Sequence, residues 1–144
     1  MAGRNAGPRE YAVIGLGRFG SSLALRLIEL GHSVLGIDRN RELVQRLADD
    51  LTQTAVLDAS DDEALRDLDI TAFDAVVVAI GADFESNLMT TTALKALGVP
   101  LVICKALSDR QRTILLRVGA DRVILPEIEA GQRLADDLDG VTAG

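Results

Sequence analysis

From Tyr11 onward, short apolar runs alternate with longer stretches in which apolar residues recur every three or four positions. Short continuous runs suit strands buried on both faces, and the helical recurrence suits segments lying along a sheet. The runs predict strands over Tyr11–Gly15, Ser33–Asp38, Thr54–Leu57, Ala75–Ile80, Leu101–Lys105 and Arg122–Leu125. Between them, Leu23, Leu27 and Leu30 make one helical stripe, and Leu43, Val44, Leu47, Ala48 and Leu51 a second, each expected to face the sheet. Ser60 with Glu63, and Ser108 with Gln111, have capping-box spacing, which places helix starts just after Ser60 and Ser108. Gly31, Gly98 and Gly119 each stop a stripe shortly before a strand, the place for a left-handed C-cap. The closing stretch Pro126–Leu138, with Ile128, Leu134, Ala135 and Leu138, reads as a last helix, and residues 139–144 as a frayed tail.

Six strands alternating with helices through short loops, with right-handed crossovers, predict an α/β fold. It is a Rossmann-like, doubly wound, parallel six-stranded sheet in the order 3-2-1-4-5-6. No linker divides it, so residues 10–138 form one domain, and Met1–Arg9, rich in Gly, Ala, Arg and Pro, read as a disordered leader or a remnant of expression. At 144 residues and 48% hydrophobic, the chain is long enough for one core and short for two. With aromatics at 3% and no Trp, it lacks the stacking platforms of single-strand nucleic-acid binders. Fifteen basic against 22 acidic residues give −7, a field that repels nucleic acid and anionic membrane surfaces. No apolar run approaches the roughly 20 residues of a bilayer span, so direct membrane insertion is not expected. The single Cys104 makes neither an internal disulfide nor a zinc site by itself, which fits the cytoplasm. In an apolar strand, it reads as a buried thiol.

Gly15-Leu16-Gly17-Arg18-Phe19-Gly20 follows the first strand and opens the first helix, and Asp38 closes the second strand 18 residues after Gly20. In that setting the first glycine permits a tight turn, the second lets backbone approach a diphosphate, and the third lets helix pack on strand. The diphosphate then sits on the helix N-terminus, among free N–H groups and the positive dipole end. Asp38 is placed to accept both ribose hydroxyls and to repel a 2′-phosphate, which disfavours NADP; NAD, ATP, ADP and AMP stay open. Asp38 with Asn40 is equally suited to cap the next helix, and one carboxylate can do both.

Arg18, inside the glycine turn, is either a solvated arginine at a helix start or, because it opposes the helix dipole and so asks for an anion, a guanidinium for terminal phosphate oxygens. For Arg39 two readings stay open, stacking on adenine or lying in water. Asp58-Ala59 after the third strand and Ala79-Ile80-Gly81 after the fourth lie at strand carboxyl ends, where they can flank base and ribose. Lys105, ending the fifth strand, is either a point charge for phosphate or a solvated edge lysine. Glu127 follows the sixth strand, three strand spacings or about 14 Å from the first. That is too far for its own chain's phosphates; it reads as a helix start, or across a dimer as a contact to the partner's nucleotide or a divalent cation. His32 lies in a polar turn with no expected partner.

Ile14-Gly-Leu-Gly-Arg-Phe-Gly20, Gly36-Ile-Asp38, Val78-Ala-Ile-Gly81, Val102-Ile-Cys-Lys105 and Gly119-Ala-Asp-Arg-Val-Ile-Leu-Pro-Glu127 together resemble the N-lobe of RCK domains, also called KTN or TrkA-N. The resemblance runs from Tyr11 to about Leu138 and is closest to regulatory subunits of Ktr-type potassium uptake. It implies a cytosolic regulator that binds ATP or ADP, with NAD also possible as ligand. It further implies a homodimer or homo-octameric ring beneath a membrane potassium channel or transporter, peripheral to the inner face of the membrane. By the same resemblance Arg18 meets the terminal phosphates, Asp38 the ribose, and Lys105 assists at the phosphates. Glu127 would help place a divalent cation, Mg or Ca, near the partner chain's nucleotide. Family members usually add a smaller C-terminal lobe, so this chain reads as a truncated or solitary N-lobe. A competing expectation, the cofactor domain of an NAD-dependent oxidoreductase, needs a substrate half and an acid–base residue that the sequence does not supply. A third, an assembly module braced by a permanent nucleotide, shares every motif with the first.

Overall fold

The computed structural model describes residues 7–143. Six strands, β1 (Glu10–Ile14), β2 (Ser33–Asp38), β3 (Gln53–Val56), β4 (Ala75–Val78), β5 (Val102–Lys105) and β6 (Arg122–Ile124), form one sheet in the order β3-β2-β1-β4-β5-β6. Every pairing is parallel. The predicted fold class and strand order are therefore those observed, with strand ends moved by one or two residues. Ala79 and Ile80 lie beyond β4 and Gly15 beyond β1, so the turns over the cleft begin earlier than the apolar runs suggest.

Among the described residues the six α-helices are α1 (Arg18–Glu29), α2 (Arg41–Leu47), α3 (Asp62–Asp67), α4 (Phe84–Leu97), α5 (Asp109–Arg117) and α6 (Pro126–Ala143). Alternation along β1 divides the core. Val13 joins Ala24, Val34, Val44, Leu47 and Leu51 under α1 and α2, while Ala12 and Ile14 join Leu35, Leu65, Val76, Leu94 and Leu115 under α3, α4 and α5. Within the predicted stripes Leu30 and Ala48 do not face the sheet: each lies at a helix C-cap, where the turn has swung outward, and both are exposed.

Gly31, Gly98 and Gly119 have φ of 94°, 96° and 115°, the left-handed stops expected of them. Ser108 accepts from the Gln111 amide, and Gln111 Oε1 in turn takes the Leu107 amide, so that cap stands. The cap at Ser60 does not: Asp61 takes the Glu63 amide and starts α3 one residue later, while Ser60 donates to Asp58. An ionised cap adds attraction to the helix dipole that a hydroxyl lacks. The expected tail is helix as far as Ala143, and Gly144 lies outside the described residues. Of the expected leader, residues 1–6 also lie outside them, but Arg9 is tied down. Its carbonyl accepts from Ser33 and its amide donates to His32 Nδ1, which gives His32 the partner it was expected to lack.

Candidate functional site

Where the strand order reverses between β1 and β4, the strand carboxyl ends part around a cleft of about 290 Å³. The turn from β1 into α1 forms its floor. Gly15 has φ +98°, and a Cβ there would come within 2.9 Å of the Ala79 carbonyl; a Cβ on Gly20 would run into the Gly15 carbonyl oxygen. Both glycines are thus required by the protein's own packing. Gly17 is not: its backbone is extended (φ −72°), and a Cβ would meet no protein atom within 4 Å. It also begins α1 without a side-chain cap, whereas Asn40, Asp61, Asp83 and Ser108 each cap the helix that follows. The first turn of α1 contains no acid. The positive end of α1 therefore opens beside the cleft, with room next to Gly17 for a bulky anion.

Asp38 braces this turn. Its Oδ2 accepts the Leu16 amide at 2.8 Å and its Oδ1 the Asn40 amide at 2.8 Å. The cap of α2 is Asn40 alone, through the Glu42 amide, so the shared cap resolves into a turn held by Asp38 and a helix start held by its neighbour. Each Asp38 oxygen keeps a lone pair for a hydroxyl. Asp58 accepts both the hydroxyl and the amide of Ser60, and these bonds hold its carboxyl below the usual range.

The structure gathers Gly15, Gly17, Asp38, Arg39, Asp58, Ala59, Ala79, Ile80 and Gly81 around the cleft, as expected from sequence. It does not bring Leu16, Arg18, Phe19, Gly20 or Lys105 into its lining. Leu16 is buried in the core, and its amide is taken by Asp38. Gly20 is enclosed by Gly15 and Ala79. Arg18 is exposed at the first position of α1. Lys105 is no solvated edge lysine: its side chain is 13% exposed, with Nζ 5.5 Å from the Phe19 ring centroid and 3.5 Å from Glu127 Oε1. Nζ also lies over Gly81, 3.1 Å from where a Cβ would stand. Glu127 opens α6 and is thereby tied through Lys105 to its own chain's glycine turn.

Sequence reading missed two residues. Asp83, the cap of α4, lines the cleft and pairs at 3.5 Å with Arg39, whose side chain is otherwise largely exposed. Asn87, 1% exposed, donates to the Ile80 carbonyl at 3.0 Å and the Lys105 carbonyl at 2.9 Å, clasping the ends of β4 and β5 together. Asp83-Phe84-Glu85-Ser86 does carry a capping spacing, but nothing local signals a partner 44 residues back. Behind the clasp, Cys104 is buried against Thr91 at 3.1 Å, and burial pushes its thiol up to about 11. Among the described residues no group of three or more His, Cys, Asp or Glu gathers to hold a metal, and no helix is long and apolar enough to cross a membrane.

A parallel sheet wound in both directions, a glycine turn at its switch point and an acid at the end of β2 define a Rossmann-like domain. Within that class, residues 11–126 match the TrkA-N domain, and the chain belongs to that family. Ktr system potassium uptake protein A of Bacillus subtilis is 39% identical over 130 residues, which are 90% of this chain and 59% of that protein. The chain thus spans little more than half the length of that relative. Among solved structures, the NAD(P)-binding domain of an exopolyphosphatase-related protein from Archaeoglobus fulgidus superposes with a TM-score of 0.81 at 28% identity, covering 92% of this chain and 98% of that one. The GsuK channel bound to NAD shares the fold, with a TM-score of 0.72 at 14% identity over 83% of this chain and 22% of that one.

Proposed function

We propose that this chain is the nucleotide-binding regulatory domain of a potassium uptake system, seating the phosphates of an adenine nucleotide on the β1–α1 turn. The observation that carries the reading is Gly17. Neither its backbone angles nor its surroundings call for glycine, and the space a side chain would fill lies at the uncapped start of α1, where a bare backbone lets phosphate approach the amides. The uncapped start of α1 supplies the amides for a diphosphate, Arg18 stands beside it for terminal phosphates, and Asp38 faces the ribose hydroxyls. Asp58, Ala59 and the Ala79–Gly81 turn flank the nucleoside. ATP, ADP and NAD all fit these contacts.

Lys105 and Glu127 make a second layer, through which a phosphate above Gly81 would reach α6. One chain does not make a divalent-cation site there. The Glu127 carboxylate faces an ammonium, and a cation would need further donors from a second copy or from the nucleotide itself. The role is regulatory rather than catalytic. The single histidine, His32, precedes β2 and so stands at the opposite end of the sheet from the cleft, engaged by Arg9 and Tyr11. The names of the Ktr relatives support a potassium transporter as partner; a cytoplasmic location and assembly as a dimer or ring belong to the same proposal.

Calorimetric titration with ATP, ADP and NAD tests the reading, with Gly17→Ala as the informative variant. A methyl group there leaves the fold unstrained and occupies the phosphate seat, so affinity should fall at least about ten-fold, roughly 1.4 kcal/mol, while the thermal midpoint stays put. Absence of binding by the unmodified chain to all three compounds would remove the proposal.

A further inference from the structure

Resting on the nucleotide reading above, we infer that Asp83 is a specificity-determining residue that turns the cleft against 2′-phosphorylated nucleotides by holding Arg39. Arg39 directly follows Asp38 at the end of β2, and a guanidinium near that acid is the group that accommodates a 2′-phosphate in folds of this kind. Here its Nη2 lies 3.5 Å from Asp83 Oδ2, across the mouth of the cleft. Asp83 is the fixed half of the pair. Its Oδ1 accepts the Ser86 amide at 3.1 Å and caps α4, where the helix dipole favours an acid. Arg39, 64% exposed, is the half with freedom to turn elsewhere.

The charges around the opening point the same way. Asp38, Asp58 and Asp83 line it with Arg39 as the counter-charge, so a ribose bearing two neutral hydroxyls is accepted where a second phosphate meets net repulsion. Asp38 cannot be altered to ask this question cleanly, because it also holds the Leu16 and Asn40 amides. Asp83 can: asparagine keeps the capping oxygen and removes only the charge.

The test uses adenosine 5′-monophosphate and adenosine 2′,5′-bisphosphate, which differ only at the 2′ oxygen, titrated into the full chain. Selectivity for the monophosphate should fall about two- to five-fold in Asp83→Asn, the span of one exposed ion pair, chiefly through tighter bisphosphate binding. Adding Arg39→Ala to that variant should cancel the gain, because the freed guanidinium is what the 2′-phosphate meets. An unchanged ratio, or a gain that survives Arg39→Ala, overturns the inference and leaves the nucleotide reading standing. Failure of the unmodified chain to bind the monophosphate, ATP, ADP or NAD removes that reading, and this inference with it.

Discussion

At the floor of the cleft, Gly15 presses on the Ala79 carbonyl and Gly20 on Gly15, backbone against backbone with no side chain between. At the rim, Arg39 meets Asp83 and Lys105 meets Glu127 through charged side chains, three of the four well exposed, each pair 3.5 Å apart. Close packing leaves Gly15 and Gly20 no room for a methyl group, and a backbone carbonyl cannot rotate aside as a side chain does. Exposed ion pairs at long distance contribute little to stability, so rim residues can change one at a time without unfolding the domain. The floor sets the shape of the site, and the rim sets what enters it.

The largest effect that contrast predicts is at Gly20. Replacement by alanine drives a methyl into the Gly15 carbonyl oxygen, and relief requires the turn and α1 to separate. Chemical denaturation should show a loss of about 3 kcal/mol, the upper range for forced overpacking. Gly17→Ala, in the same turn, should show none. Equal stability of the two variants would mean that the contact of Gly20 with the Gly15 carbonyl does not hold the turn rigid.

This division also decides what the sequence reveals. The floor is written in residue types with narrow physical uses, so the glycines, the apolar runs and the acid at Asp38 locate the sheet and the turn before any coordinates exist. The rim depends on pairings between residues far apart in the chain. Asp83 looks like any helix cap, Asn87 like a polar residue inside a helix, and their partners Arg39 and Lys105 lie on other elements. Even locally, Asp58-Ala59-Ser60-Asp61 offers competing caps, and only the folded chain shows that Asp61 takes the helix while Ser60 serves Asp58. Lys105 was legible as a residue at a strand end, but its burial over Phe19 and Gly81 arises from the start of α1 and the β4–α4 loop converging on it.

A second, somewhat smaller effect separates the regions by pH. Beneath the cleft, burial raises the Cys104 thiol from 9.0 to about 11, although the Thr91 hydroxyl pulls the other way. A thiol that holds its proton more tightly when folded stabilises the fold fully below pH 9. The unfolded chain ionises first above that, so the contribution fades as pH rises through about 11. Two pKa units correspond to about 2 to 3 kcal/mol. Denaturation curves from pH 8 to 11 should steepen in their decline for the unmodified chain and flatten for Cys104→Ala. Parallel curves would show that the thiol is reached by solvent and that the strand ends clasped by Asn87 open readily. Asp58, on the rim, has the opposite sign: its lowered carboxyl contributes above its unfolded pKa and is lost as acid protonates it.

The smallest effect is expected where the rim touches α6. Glu127 is 65% exposed and 3.5 Å from Lys105, a geometry in which solvent screens most of the attraction. Glu127→Gln should therefore cost no more than about 0.5 kcal/mol, within about 3 °C of the original thermal midpoint. Lys105 keeps its place without the pair, because its side chain is mostly buried and its ammonium still faces the Phe19 ring. A loss several times larger would mean that Glu127 holds Lys105 over Gly81. In that case α6 would belong to the packed floor rather than the adjustable rim, and a change in the nucleotide's phosphates could not reach α6 without loosening the turn beneath them.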